Sequence, residues 1–336
     1  VITGGLYRDG AASIAGLKQL VKTAEHSVLA DAFRFSEKSI VKSLEKRIAK
    51  NDIEVDLVHS WYKQRWRSGE LTKSRLKPQG VNFHPIHVMQ HGKAVLVDNR
   101  ELWVGSAAIG KATIKRNDVA VRMTGPAATA YGDLTRATIR GDRSAAFAAA
   151  RDAQAAGLLV NDPGAVNDAG VTAKFLTSSL EQLIREEPSE LHVVTKSLRD
   201  RELTSLLAER AGEIPVHVTV RDVSMEIEQH LRAAGVDVMR IDDPLHQSHA
   251  NIVVGTNQAY FGSAHLTARA LNRETARSTS REIGVLVDRS TEPEVLAQVR
   301  EAAQLIRSGS TQAEGAHSWQ TRVEYWLRSH LGKGFD

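Results

Sequence analysis

The chain repeats itself. Val104-Gly105-Ser106-Ala107 returns in the second half as Phe261-Gly262-Ser263-Ala264. Gln79-Gly80-Val81 precedes His91 as Ala234-Gly235-Val236 precedes His249, and the two histidines stand close to half a chain apart. The hydrophobic periodicities follow one order in both halves. In the first, a helical face of Ile14, Leu17, Leu20, Val21 and Ala24 leads to a strand pattern over 27–33. A helix carrying Ile40, Val41, Leu44 and Ile48 follows, then strand patterns over 53–58, 81–84, 91–97, 102–105 and 118–123. In the second, a helix over 174–185 leads to a strand over 191–195, a helix over 202–211, a strand over 215–220 and a helix over 224–234. Strand patterns over 236–240, 249–254, 259–262 and 282–287 come next, with helices near 291–307 and 316–331 closing the chain. An internal duplication is the economical reading. Alternating helices and strands predict an α/β fold, one sheet layer per half, packed together. The expected organisation is a first half over 1–143, an Ala-rich connector over 144–170 containing the turn Asn161-Asp162-Pro163-Gly164, and a second half over 171–336.

At 336 residues, with 42% hydrophobic and 25% charged, such a duplicated unit can bury its core unaided. The absence of cysteine removes disulfides, thiolate metal sites and thiol nucleophiles. No run of ~18 apolar residues occurs, so no integral membrane segment is expected. Val1-Ile2-Thr3-Gly4-Gly5 does not read as a signal peptide. The expectation is a cytoplasmic protein, although the missing initiator Met leaves a trimmed leader open. A net charge of +4 permits an anionic partner, and 40 acidic residues argue against a merely charge-driven coat.

The chemistry concentrates in His91-Gly92-Lys93, followed by Asp98 and Gly105-Ser106. Two residues apart on a strand, His91 and Lys93 share a face. An imidazole can then attack or protonate while the ammonium holds an anionic oxygen. Ser106, on the next strand, could donate to the same oxygen.

This spacing resembles the phospholipase D superfamily, whose members carry two H-x-K motifs in pseudo-symmetric halves. The resemblance covers nearly the whole chain, and Asn117-Asp118 before Gly125-Pro126 resembles the segment that follows the motif. It implies two α/β sandwich halves packed around a central site. It implies phosphodiester chemistry through a covalent phosphohistidine, with no metal and no cofactor. It also implies that the carboxylates Asp118 and Glu282, in the strands after each motif, pair with the histidines. Asp98, at a turn, is expected to serve structure more than chemistry. The second copy departs from the pattern. His249-Ala250-Asn251 has asparagine for lysine, Thr256 stands where the aspartate would be, and Gly262-Ser263 arrives one residue early. The asparagine usually two residues after the motif serine is Ala108 in one half and His265 in the other. The candidate catalytic set is therefore His91, Lys93, His249, Asn251, Asp118, Glu282, Ser106 and Ser263. His91 is expected to be the nucleophile, and His249 the general acid for the leaving oxygen and later the base for water. If Asn251 marks a weakened clamp, Asn251→Lys is expected to raise turnover.

The segment 60–67 interleaves Trp61 and Trp66 with Arg65 and Arg67. Such composition suits base stacking with phosphate contacts, and equally a lipid headgroup. A second basic stretch runs from Arg269 through Arg273 and Arg277 to Arg281, opposed only by Glu274. Together they favour nucleic acid as the partner, hence a nuclease. A phospholipase D or phosphatidyl-transferring enzyme acting on a phospholipid headgroup is the alternative. A catalytically impaired phosphate-binding member of the fold is a third.

Overall fold

The computed structural model describes residues 1–32, 35–51, 53–60, 74–241, 248–276 and 278–312. Trp61, Arg65, Trp66, Arg67 and Arg277 lie outside the described residues, as does the helix expected near 316–331.

Two mixed sheets carry the duplication. In the first, the strands run in the order Ile2–Tyr7, Ala120–Thr124, Glu101–Gly105, Lys93–Val97, Ser27–Ala32, Glu54–Ser60 and Asn82–Ile86. The second repeats that order with Leu158–Val166, Ser280–Asp288, Gln258–Gly262, Ile252–Val254, Leu191–Leu198, Val216–Val223 and Asp237–Arg240. Of each set of seven, the last three strands are parallel to one another and the others antiparallel to their neighbours. The helices Gly10–Thr23 and Lys38–Asn51 bury Leu17, Leu20, Ile40 and Leu44 against the outer face of the first sheet. Phe175–Glu186 and Arg201–Ala211 do the same for the second with Leu180, Leu183, Leu203 and Leu207. The inner faces share one core, in which Leu96 and Val104 meet Ile252, Phe261 and Ile283. This is the expected α/β architecture of two pseudo-symmetric sandwich halves. Among the described residues no helix is long and apolar enough to cross a membrane.

Three segments read as strand-free or connecting take regular structure. Ile2–Tyr7 edges the first sheet, and Leu158–Val166 takes the equivalent place in the second, where Thr172–Lys174 adds one further strand outside it. Asn161-Asp162-Pro163-Gly164 therefore lies within a strand. Asn161 pairs with Glu282 and Asp162 with Ala173, and the turn chemistry survives as an irregularity in the ladder, where the Gly164 N–H donates to Asp162 Oδ1 at 2.8 Å. The Ala-rich segment forms the helix Arg143–Ala155, packed with Pro126–Arg140 against the shared core.

Backbone bonds cross between the halves at matched positions. Ser280 and Arg281 pair with Met89 and Gln90. The His91 and Gly92 N–H groups donate to the Arg281 carbonyl at 3.0 and 2.9 Å, and the Ala250 N–H donates to the Asn117 carbonyl at 3.2 Å. Each histidine motif is thus tied to the residue just before the other half's carboxylate.

Candidate active site

The motif residues sit at strand entrances rather than within strands. Lys93 opens Lys93–Val97, and His91 precedes it; His249 and Asn251 both precede Ile252–Val254. The side chains of His91 and Lys93 converge all the same, and a tight local bond adds to this. Lys93 Nζ donates to the His91 carbonyl at 2.9 Å and lies 3.5 Å from His91 Nε2. Lys93 is buried, and desolvation brings its pKa down to about 8 against the pull of Glu282 and Asp118.

The carboxylates do pair with the histidines, but across the halves. Glu282 Oε2 is 2.9 Å from His91 Nδ1. Asp118 Oδ1 is 3.8 Å from His249 Nδ1. The first pair is a close contact that fixes an imidazole; the second is too long for a hydrogen bond. Burial alone would raise the carboxyl of Glu282, yet His91, Lys93 and Ser263 hold it below its usual range. Asp118, with the looser partner, is pushed up to about 6 by burial.

Ser106 and Ser263 take a role different from the expected oxyanion donor. Ser106 Oγ donates to Asp118 Oδ1 at 2.9 Å and accepts from the Val119 N–H at 3.0 Å. Ser263 Oγ donates to Glu282 and accepts from the Ile283 N–H at 3.0 Å. Both hydroxyls are spent on orienting the carboxylates. The preceding glycines are required by space: a Cβ on Gly105 would lie 2.2 Å from the Val119 carbonyl oxygen, and one on Gly262 2.5 Å from Gly284 Cα. Asp98 accepts from the N–H groups of Glu25, His26 and Ser27 at 2.7–2.8 Å, which makes it a structural turn residue.

Asn251 is 1% exposed and fully engaged. Its Nδ2 donates to the carbonyls of His249 and Gly262, both at 3.3 Å. Its Oδ1 accepts from Thr195 Oγ1 and meets His265 Nδ1, each at 2.9 Å. A lysine here, a donor only, would lose the two contacts in which Asn251 Oδ1 accepts, those with Thr195 and His265, and its longer stem would have to fit a fully buried site. The geometry reverses the sequence-based expectation: Asn251→Lys should slow turnover.

Two residues enter the site that spacing did not assign. The His265 ring stands between the histidines, its centroid 5.1 Å from that of His91 and 4.8 Å from that of His249. Its only sequence signal was its place two residues after Ser263. Lys196 lies between Thr195, bonded to Asn251, and Ser197, which lines the site cavity. Its charge acts on His91, Lys93, Asp118, His249 and His265. It supplies a second cation where the second motif has none.

A cavity of about 830 Å3 opens over His91, His265 and Glu282, with Arg199 and Arg269 at its walls. Of the described arginines of the second basic stretch, Arg269 alone lines it. Arg273 is bound to Asp200, Glu181 and Glu202. Arg281 is fully buried, with Asp31 at 3.1 Å and Asp162 at 3.2 Å. These two arginines hold the fold, because a buried guanidinium needs its carboxylates. The described residues contain one cluster with metal-ligand spacing, Glu190, His192 and His217. It lies at the other end of the strand Leu191–Leu198 from Thr195 and Ser197.

Residues 17–132 match the family model described as "Cardiolipin synthase, PLD-like domain". No curated protein matches the sequence. The structure is similar to that of phosphatidylserine synthase from Haemophilus influenzae Rd KW20, with a TM-score of 0.71 and 13% identity over 98% of this chain and 92% of that one. It is similar to polyphosphate kinase from Porphyromonas gingivalis, with a TM-score of 0.60 and 13% identity over 96% of this chain and 55% of that one. Yeast tyrosyl-DNA phosphodiesterase gives a TM-score of 0.52 and 11% identity, over 80% of this chain and 83% of that one. At these identities the likeness is one of fold.

Proposed function

From the premise that the chain belongs to the phospholipase D superfamily, we propose that it cleaves phosphodiesters through a phosphoryl group carried on His91. The observation that carries this reading is the line Glu282–His91–Lys93. With Glu282 on Nδ1 at 2.9 Å, the proton of His91 is held there and Nε2 presents its lone pair to phosphorus. Lys93, 3.5 Å from Nε2, stands where charge grows on the equatorial oxygens. Burial, with His265, Lys93 and Lys196 nearby, holds the pKa of His249 well below the ordinary imidazole value, so it takes up its proton when the anionic phosphodiester binds beside it and gives that proton to the leaving oxygen as the phosphorus–oxygen bond breaks. Water then cleaves the phosphorus–nitrogen bond and frees His91. Asp118 and Glu282 are the orienting carboxylates, Ser106 and Ser263 hold them, and Asn251 is a positioning residue. Lys93 and Lys196 offer the positive charge that metal ions supply in other phosphodiesterases.

Nucleic acid is the leading substrate, supported by Arg199 and Arg269 at the cavity walls and by the aromatic–basic sequence over 61–67. Phosphatidyl transfer is the second reading. It is favoured by the cardiolipin synthase description of the matching family and by the likeness to a phosphatidylserine synthase. Incubation with single- and double-stranded DNA, RNA and phosphatidylcholine, each in EDTA, separates them. Cleavage of a nucleic acid that survives EDTA is the expected result. Turnover of phosphatidylcholine alone would favour the second reading, and activity lost to EDTA and restored by magnesium or zinc would end the phosphohistidine mechanism. Binding without turnover of any substrate would leave only a phosphate-binding protein.

The alkaline limb of the rate follows from Lys93. Its ammonium is lost as pH rises through about 8, so kcat/KM on the best substrate should fall above that pH. Lys93→Arg, charged throughout, should move the limb to higher pH even if the peak rate drops. An unshifted limb in that variant would remove Lys93 from the rate-determining ionisation.

A further inference from the structure

We propose that His265 is the base that activates the acceptor oxygen in the second half of the reaction, with its imidazole held in the required tautomer by Asn251. The inference rests on the phosphohistidine reading above and names the group that completes it.

The tautomer follows from the hydrogen bonds. Asn251 Nδ2 faces two carbonyl oxygens, those of His249 and Gly262. Carbonyls only accept, so the amide must present its NH2 group to them and its oxygen to the other side. That oxygen receives the Thr195 hydroxyl and faces His265 Nδ1 at 2.9 Å. His265 Nδ1 therefore carries the proton, and Nε2 carries the lone pair. Burial, with His91, Lys93 and Lys196 nearby, holds its pKa well below the ordinary imidazole value, so the ring rests neutral.

A neutral imidazole with its lone pair on Nε2 cannot clamp an anionic oxygen, since the lone pair repels it. It can take a proton. His265 lines the cavity together with His91 and Glu282 and stands between the rings of His91 and His249. An acceptor, water or an alcohol, entering beside phosphorylated His91 meets this base. The acceptor oxygen bonds to phosphorus as its proton passes to His265 Nε2. The phosphorus–nitrogen bond breaks, and its electron pair returns to His91 Nε2. His265 then passes the proton to His249, which gave one to the leaving group in the first half, and the cycle closes without net change in either ring. Two of the departures of the second motif thus belong together: asparagine in place of lysine supplies the acceptor that histidine, two residues after Ser263, needs. His249 is the less firmly held partner for this second step, because Asp118 lies 3.8 Å from its Nδ1.

The experiment is rapid quench of wild type, His265→Gln and Asn251→Lys with the best substrate of the panel, labelled on the retained phosphoryl side. In His265→Gln the first release of leaving group should stay within about threefold of wild type. Breakdown of the adduct should slow ~10²–10⁴-fold, the usual weight of a general base, so labelled protein accumulates. Free imidazole should restore part of the breakdown rate. Asn251→Lys should slow the same step more than adduct formation. A wild-type steady-state rate in His265→Gln overturns the inference. So does equal slowing of both steps without imidazole rescue, which marks a structural role, and so does a faster Asn251→Lys. If wild type itself forms no labelled adduct while turning over substrate, the phosphohistidine reading fails first and takes this one with it.

Discussion

His91→Gln should lower turnover by about 10⁵–10⁶, the scale seen when a covalent nucleophile is removed. The loss is large because nothing else at the centre can replace it. The Nδ1 of His249 sits 3.8 Å from Asp118, and that ring lacks the firm orientation that Glu282 gives His91. His265 turns its protonated nitrogen to Asn251 and its pKa is held low. Acid-free trapping of the labelled protein and mapping of the modified residue should place the phosphoryl group on His91. The fold should persist in the variant, since the glutamine can still meet Glu282 and the Arg281 carbonyl bonds to the backbone of His91 and Gly92. Label on His249 would exchange the roles of the two histidines.

Glu282→Gln should lower kcat by about 10³–10⁴ with a small change in KM, and Asp118→Asn by at least tenfold less. Both variants keep the side-chain shape, so they separate charge and tautomer control from packing. The glutamine neutralises the group that stabilises the imidazolium character of His91 during attack, comparable to losing the orienting carboxylate of a triad. Glu282 also accepts from Ser280 Oγ at 2.8 Å and from Ser263. An amide cannot accept at both ends at once, so one serine must turn. Asp118 bears on a histidine it does not touch closely, and its carboxyl is already raised to about 6. Steady-state kinetics of the two variants on one substrate test this, and equal losses would mean that the crossed pairs contribute alike.

The pattern of elements was largely readable. The helical faces of Leu17 and Leu20 and of Leu180 and Leu183 bury where their period predicts, because one apolar stripe has only one sheet to meet. Two kinds of segment escaped. Ile2–Tyr7 carries Gly4 and Gly5, both with φ above +70°, and a glycine pair hides the alternation that marks a strand. The Ala-rich residues of Arg143–Ala155 give little contrast between faces, and their burial against Leu158, Val160 and Val285 is set by the partner rather than by the helix. Nor did Asp162-Pro163-Gly164 show that Asp162 would face Arg281 at 3.2 Å.

What the sequence determined by itself was the local make-up of each motif. Spacing along a chain fixes local geometry, so His91 with Lys93, the two Gly-Ser pairs and the turn at Asp98 were all legible from neighbours a few residues apart. The tertiary structure decided who acts on whom. Glu282 reaches His91 across 191 residues of sequence, and Ala250 reaches the Asn117 carbonyl across the same interface. The same packing brings the His265 ring against those of His91 and His249, and brings Lys196 close enough for its charge to act on both. Such pairings depend on how two sheets meet at a shared core. A single sequence holds no spacing that records it, because pairing within a half and pairing across halves share the same residues and the same local patterns.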